Sequence, residues 1–222
     1  MVDSARTAGA RFAGVIFDFD GTLADTLPIC IKAFQHTFKL YGGPELDAAG
    51  VRSLFGPSEE GVIAIALGED ADVALETYLA EYTRLHYTCP QPFLGIRGVL
   101  DDLRERRVPL AIVTGKGPRS VRISLDYIGL GDDFDLVEAG SPRGSVKGEA
   151  MTRVAEAWGL PPGRLVSVGD HRNDVREARR AGTFPVSVVW AHPESAEALR
   201  SEAPEALFET VDEFAAWLLP QV

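Results

Sequence analysis

The sequence predicts an α/β fold, a doubly wound parallel sheet with an inserted α-helical module. Six short apolar runs rich in β-forming residues recur along the 222 residues, and helical periodicity fills most of the intervals between them. Residues 27–92 break this alternation, because they carry helical patterns with no strand between them. Alternating strands and helices are typical of a parallel sheet that is covered by helices on both faces.

The first predicted strand is the run "FAGVIF" at 12–17, which stops at charged residues followed by Gly21. Most of the six runs are apolar at successive positions, as burial on both faces of a sheet requires. The later runs lie at 108–115, 134–140, 164–170, 185–191 and, more weakly, 206–209.

Four helices are predicted between these strands, and glycine marks the end of two of them. Gly159 and Gly182 follow the last periodic residues of their segments, where glycine commonly ends a helix. The four segments are 98–107, 120–130, 147–160 and 174–182.

We therefore divide the chain into an α/β core, 1–26 with 93–222, and a helical cap, 27–92. Asp25 and Thr26 are expected to cap the first helix of this insert. A turn at Gly56 and Pro57, close to Arg52, could reach the site and select substrates, so Arg52 and Gly56 are candidate specificity residues. A plain interhelical turn is the alternative.

Polar side chains stand at the ends of the predicted strands. Asp18 and Asp20 follow the first strand, Thr114 and Gly115 the second, Lys147 the third, and Asp170 the fourth. Ligands of open α/β sheets bind at the carboxyl ends of the strands, so these residues are expected to meet at one edge. Lys116 and Arg119, by contrast, are expected to face solvent.

This set of residues suits the cleavage of a phosphate ester. Asp18 could attack phosphorus as the nucleophile, while Asp20 gives a proton to the leaving group and later takes one from water. Asp18 and Asp170 offer the hard oxygen ligands that Mg²⁺ prefers. The expected phosphate contacts are Gly21, Thr22, Thr114, Gly115 and Lys147.

The motifs "DFDGTLADT", "VTGK", Lys147 and "GDHRND" resemble, in order, the four motifs of the haloacid-dehalogenase-like hydrolase superfamily. The layout is most similar to phosphoglycolate-phosphatase-like members with a C1-type cap. The resemblance implies a Rossmann-like core and Mg²⁺ held by the Asp18 side chain, the Asp20 carbonyl group and Asp170, with Asp174 assisting. The branch often has Lys-Pro where this chain has Lys147 and Gly148.

A Mg²⁺-dependent phosphomonoester hydrolase is therefore the leading hypothesis, with an aspartyl-phosphate intermediate and a small phosphorylated metabolite as substrate. Phosphoglycolate is the first substrate suggested, by resemblance only. A β-phosphoglucomutase-like isomerase is the alternative. Dehalogenation is disfavoured because the chain keeps Asp20, and a signalling receiver is disfavoured because its phosphoacceptor lies on a middle strand.

Composition limits the partners and the compartment. Lys and Arg number 22 against 33 Asp and Glu, a net charge of −11, which argues against nucleic-acid binding. The start of the chain is polar and no apolar run approaches the roughly 18 residues of a membrane span, so we expect a cytoplasmic protein without a membrane partner. Cys30 and Cys89 are expected to be buried, reduced thiols. A monomer or a homodimer is expected.

Overall fold

The computed structural model describes residues 9–222. It contains one six-stranded sheet in which every pairing is parallel and the strand order is β3-β2-β1-β4-β5-β6. The predicted fold class is confirmed. The six strands are β1 (Gly14–Phe17), β2 (Leu110–Val113), β3 (Leu136–Glu138), β4 (Leu165–Gly169), β5 (Phe184–Val188) and β6 (Ala206–Phe208).

Ten α-helices lie among the described residues, and the first four fall within 27–92 without a strand between them. These four are α1 (Leu27–Leu40), α2 (Ala48–Arg52), α3 (Glu59–Leu67) and α4 (Ala71–Leu85). The other six accompany the sheet and are α5 (Ile96–Glu105), α6 (Pro118–Ile128), α7 (Lys147–Trp158), α8 (Arg172–Ala181), α9 (Ala196–Ser201) and α10 (Val211–Leu218).

The sheet buries a different hydrophobic cluster on each face. On β1, Val15 and Phe17 pack into a cluster that includes residues of α5, α6 and α10. Ile16 points the other way and packs against residues of α7 and α8 such as Val154 and Ala178. Successive side chains of a strand point to opposite faces, so an apolar β1 requires helices on both sides.

The insert shares the larger of these clusters with the sheet. Phe34 of α1, Val62 of α3 and Tyr78 of α4 are buried in the same cluster as Val15 and Phe17. The division into a core of 1–26 with 93–222 and a cap of 27–92 stays a prediction. Residues 1–8, which form most of the polar start of the chain, lie outside the described residues. No helix of residues 9–222 combines the length and the apolar character that crossing a membrane requires.

Candidate active site

Reversal of the strand order at β1 sets the position of the site. β1 pairs with β2 on one side and with β4 on the other, so the connections leave it in opposite directions. Such a switch point opens a crevice at the carboxyl ends of the strands. Asp18 directly follows β1, Thr114 follows β2 and Asp170 follows β4, so all three reach this crevice.

Three carboxylates converge at the crevice. Oxygen atoms of Asp18, Asp170 and Asp174 all lie within 4.8 Å of one another. Burial raises the pKa of Asp18 to about 7 although Lys147 opposes the shift, and burial with the neighbouring Asp18 also raises the pKa of Asp170. A divalent cation would relieve this repulsion, and an all-oxygen donor set suits Mg²⁺. Asp18, Asp170 and Asp174 could therefore hold the metal.

Two glycines make room for these carboxylates. Gly21 has φ +74°, and a Cβ atom there would lie 2.1 Å from Oδ2 of Asp170. At Gly169 a Cβ atom would lie 2.5 Å from the side chain of Asp174. Atoms cannot approach so closely, so a side chain at either position would displace a carboxylate.

Lys147 joins two members of the carboxylate cluster. It is the first residue of α7, and its Nζ lies 2.9 Å from Oδ1 of Asp18 and 2.6 Å from Oδ1 of Asp174. Burial acts to lower the pKa of Lys147, but the two carboxylates outweigh it and the net shift is upward. Lys147 therefore stays charged between the two carboxylates. Both of these partners, Asp18 and Asp174, belong to the α/β core.

Asp20 belongs to a second group of polar side chains. Its Oδ1 accepts hydrogen bonds from Thr26 Oγ1 and from Nζ of Lys116, the latter at 3.0 Å. Thr26 is the N-cap residue of α1, as expected, but its hydroxyl makes no capping bond and donates to Asp20 instead. The hydrogen bond from this hydroxyl to a carboxylate is charge-assisted and therefore stronger than one between neutral groups.

The expectation that Lys116 faces solvent is also wrong. The residue is only 3 % exposed, and its Nζ lies 4.0 Å from Oε1 of Glu59 and 4.7 Å from the ring centroid of Tyr82. Burial acts to lower the pKa of Lys116, but Asp20 and the other neighbours raise it well above its ordinary value. Arg119 does face solvent, where it pairs with Glu76 of α4.

Glu59 is a site residue that the sequence analysis missed. It begins α3 of the insert, yet its carboxylate accepts hydrogen bonds from Gly117 N and, at 2.6 Å, from Ser120 Oγ at the start of α6. Burial raises the pKa of Glu59 against the opposing effect of Lys116. A glutamate at a helix start is ordinary on the surface, so only its burial marks it as unusual.

The expected phosphate contacts occupy different positions. Thr114 and Gly115 line a cavity of about 640 Å³ at the crevice, together with Asp18, Asp20 and Lys147. Gly21 and Thr22 form the turn beside Asp170 but do not line the cavity, and Thr22 is fully buried. Within the described residues, the Thr22 hydroxyl has no hydrogen-bond partner.

The insert closes the other side of this cavity. Arg52 and Gly56, the two candidate specificity residues, both line it, as do Phe55 and Pro57. Cys30 also reaches the wall, and both cysteines are buried and free, as expected. Additional lining residues that the sequence analysis did not single out for the site include Phe34, Ser145, Arg172, Asn173 and Arg176.

His171 occupies the start of α8. Its side chain accepts a hydrogen bond from Asn173 N, and its own backbone N–H donates to Oδ2 of Asp174 at 3.0 Å. Burial lowers the pKa of His171. The residue thereby fixes the first turn of α8, which carries Asp174 into the carboxylate cluster.

The comparisons with known proteins agree with this geometry. The haloacid dehalogenase-like hydrolase family matches residues 15–188, which include all the residues of the carboxylate cluster. A solved haloacid dehalogenase-like family hydrolase from Streptococcus pneumoniae has 28 % sequence identity and a TM-score of 0.74, over 93 % of this chain and 98 % of that one.

Two curated relatives carry different names. Tyrosine-protein kinase PtkA of Mycobacterium tuberculosis is 34 % identical over 182 residues, 80 % of this chain but only 62 % of the relative. A phosphoglycolate phosphatase of Synechococcus elongatus is 28 % identical over 197 residues, 88 % of this chain and 92 % of the relative. The family match extends over most of the chain and contains the whole carboxylate site, so this protein belongs to the haloacid dehalogenase-like hydrolase family.

Proposed function

We propose that this protein is a Mg²⁺-dependent phosphomonoester hydrolase that acts on a small phosphorylated metabolite through an aspartyl-phosphate on Asp18. The observation that carries the proposal is the convergence of Asp18, Asp170 and Asp174 around Lys147, beside a cavity that Asp20 also lines. Residues 27–92 act as a cap over the α/β core of 1–26 and 93–222, and the chain works as a monomer or a homodimer.

In the first step, a carboxylate oxygen of Asp18 attacks phosphorus and the bond between phosphorus and the ester oxygen breaks. The departing alkoxide takes a proton from the carboxyl group of Asp20, which becomes a carboxylate. Asp18 and Asp20 are separated by one residue on the turn after β1, so both reach the cavity. The products of this step are the free alcohol and a phosphoryl group bound to Asp18.

In the second step, the Asp20 carboxylate takes a proton from water as the water oxygen attacks phosphorus. The bond between phosphorus and Asp18 breaks, and inorganic phosphate leaves with both aspartates restored to their starting states. Thr114 and Gly115, which line the cavity, donate hydrogen bonds to phosphate oxygens, and Lys147 neutralises part of the phosphate charge.

The Mg²⁺ ion would be held by the side chains of Asp18 and Asp170, by the backbone carbonyl group of Asp20 and by the nearby carboxylate of Asp174. When bound, the ion supplies positive charge that lets an anionic phosphate approach a carboxylate nucleophile. Lys147 keeps Asp18 and Asp174 in place, because its Nζ contacts one oxygen of each.

The cap selects the substrate. Arg52 of the insert lines the cavity, so its positive charge favours metabolites with a second anionic group besides the phosphate. Phosphoglycolate, which carries a carboxylate, fits this description, and the phosphoglycolate phosphatase relative supports it as the first substrate to test. The protein is expected in the cytoplasm, where such metabolites occur.

The test is turnover of p-nitrophenyl phosphate with MgCl₂ and with excess EDTA, followed by a panel of small phosphomonoesters. Release of inorganic phosphate that requires the metal and is absent in Asp18→Asn supports the proposal. Failure of the purified, folded protein to hydrolyse any member of the panel would refute it. Incubation with a sugar phosphate, followed by NMR, distinguishes hydrolysis from the alternative β-phosphoglucomutase-like activity, because an isomerase yields an isomer without free phosphate.

A second candidate is phosphoryl transfer to a protein tyrosine, and the identity to relatives named tyrosine-protein kinase favours it. This reaction would use Asp18 in the same way but return the phosphoryl group to a hydroxyl instead of water. Incubation with radiolabelled ATP and a tyrosine-containing polypeptide tests it directly. Label on tyrosine that disappears in Asp18→Asn would support the kinase, whereas label found only as inorganic phosphate would exclude it.

A further inference from the structure

The two buried lysines of the site differ in where their partners come from. Lys147 contacts Asp18 and Asp174, which both belong to the α/β core. Lys116 also contacts a core carboxylate, Asp20, but its other neighbours, Glu59 and Tyr82, belong to α3 and α4 of the insert.

Glu59 is held firmly in the position from which it faces Lys116. One of its oxygens accepts from the backbone of Gly117 and the other from Ser120 Oγ at 2.6 Å. Both donors stand at the start of α6, where the helix dipole favours a negative charge. The insert therefore places a carboxylate onto the same loop that carries Lys116.

Lys116 engages the two oxygens of Asp20 unequally. Its Nζ lies 3.0 Å from Oδ1 and 3.4 Å from Oδ2, and Thr26 also donates to Oδ1. Two donors on Oδ1 fix the rotation of the carboxyl group and leave Oδ2 as the oxygen with the weaker contact. Oδ2 is then the atom available to exchange a proton with the leaving group and with water.

A buried lysine that lost its acidic neighbours would pay a large desolvation cost, so its position depends on them. With the insert docked, Lys116 is surrounded by Asp20, Glu59 and the face of Tyr82. Without the insert, only Asp20 would remain of these three, and the ammonium group would be free to turn toward water.

We propose that Lys116 is a positioning residue that holds the Asp20 carboxyl group in its working orientation, and that Glu59 of the insert holds Lys116 in place for this task. The geometry thus couples docking of the insert to the orientation of the proton-transfer group. The expected effect on kcat rests on the proposed function. The expected effect on the orientation of the Asp20 carboxyl group does not.

The kinetic test is a double-mutant cycle with Lys116→Met and Asp20→Asn on phosphoglycolate, an alkyl phosphomonoester whose leaving group needs a proton. In the otherwise unchanged protein, Lys116→Met should lower kcat by about 30-fold, part of the 10²- to 10⁴-fold that a positioned proton-transfer group contributes, with KM nearly unchanged. In the Asp20→Asn background the same substitution should lower kcat less than about 3-fold, because no carboxyl group is left to position. Equal losses in the two backgrounds would overturn the proposal.

Two milder substitutions, Glu59→Gln and Lys116→Arg, distinguish a loss of positioning from a loss of folding. Glu59→Gln keeps the shape of the side chain but removes the charge facing Lys116, so kcat should fall about 5-fold and again depend on Asp20. Lys116→Arg should recover part of the kcat lost in Lys116→Met. Glu76→Gln is the matched control, because it breaks the exposed ion pair between the insert and Arg119 without reaching Asp20, and kcat should stay unchanged.

A structural readout keeps the proposal testable even if the protein hydrolyses no phosphate ester. The carboxyl ¹³C resonance of Asp20 is assigned by its disappearance in Asp20→Asn and then recorded in each variant. Lys116→Met and Glu59→Gln should both shift it, whereas Glu76→Gln should not. An unshifted resonance in folded Lys116→Met and Glu59→Gln would refute the positioning role, while lack of turnover with the shifts present would refute only the proposed function.

Discussion

The site consists of two charged clusters that are built differently. The core cluster, Asp18, Lys147, Asp170 and Asp174, takes all its members from loops and helix starts of the α/β core. The bridging cluster, Asp20, Lys116, Glu59 and Tyr82, takes its first two members from the core and its last two from the insert.

In the proposed mechanism, this difference separates two tasks. Groups that hold a metal and a nucleophile must keep fixed positions, and rigid strand ends of one sheet provide them. A group that transfers protons must work on a substrate that enters and leaves, so dependence on a docked insert can limit its activity to the closed site. If so, substitutions in the two clusters should have different effects on activity.

The largest effect is expected in the core cluster, from Asp18→Asn. An amide cannot form the acyl phosphate and is a poorer metal ligand, so kcat should fall by more than about 10³-fold for every substrate. Asp25→Asn is the matched control, because Asp25 lies on the same loop with an exposed side chain. Steady-state kinetics on both variants measure the loss, and near-normal activity of folded Asp18→Asn would remove the nucleophile assignment.

A smaller effect that depends on the substrate is expected in the bridging cluster, from Asp20→Asn. An alkoxide needs a proton to leave and a nitrophenolate does not, so alkyl phosphates should lose about 10²- to 10³-fold and p-nitrophenyl phosphate clearly less. The comparison uses kcat/KM for an alkyl and an aryl ester side by side. Equal losses would count against proton donation by Asp20.

The core cluster should also make stability depend on pH and metal. The pKa of Asp18 is raised from 3.8 to about 7 by burial, so the folded chain binds more protons than the unfolded chain between these values. Without metal, the free energy of unfolding should therefore decrease as pH rises from about 4 to about 7, by roughly a few kcal/mol, since one pKa unit corresponds to about 1.4 kcal/mol. The raised pKa of Asp170 acts in the same direction.

Thermal unfolding with MgCl₂ or with EDTA at pH 5 and pH 8 checks this dependence. The increase in Tm caused by Mg²⁺ should be larger at pH 8, by about 10 °C at most for a chain of this size, because the ionised carboxylates then need the cation most. Asp170→Asn should reduce the increase. A gain in Tm that is the same at both pH values would indicate that these carboxylates do not govern metal binding.

The smallest effect is expected at the cavity wall formed by the insert, from Arg52→Gln. Loss of one exposed ion pair costs about 1 kcal/mol, so KM for phosphoglycolate should rise about 5-fold while KM for p-nitrophenyl phosphate changes little. Lys39→Gln, an exposed charge change on α1 away from the cavity lining, is the control. A uniform change across substrates would contradict a role of Arg52 in selection.

Much of the fold followed from local pattern. All six predicted strands and the four predicted core helices are present. The strands were recognised as short continuous apolar runs and the helices by apolar residues at the helical period. Helices α2, α9 and α10 were not predicted. α2 has five residues, too few for a periodic signal, whereas α10 begins with a Thr210–Glu213 capping box that the sequence does display.

The core cluster could be predicted for a related reason. Parallel strands end at one edge of a sheet, so residues that follow different strands meet whatever their separation in sequence. Asp18, Lys147 and Asp170 could be grouped on this basis, and Lys147 does contact Asp18. Assignment of catalytic and metal-binding roles to these residues stays a prediction.

The sequence by itself thus determined the six parallel strands, four of the helices beside them and the meeting of Asp18 with Asp170, because each depends on the local apolar pattern or on strand ends sharing one sheet edge. Only the tertiary structure decided the bridging cluster. Lys116 and Glu59 are 57 positions apart, on a loop and on a helix whose relative placement depends on how the insert packs. Local sequence carries no signal for that packing, so a lysine expected in solvent is buried against Asp20 instead.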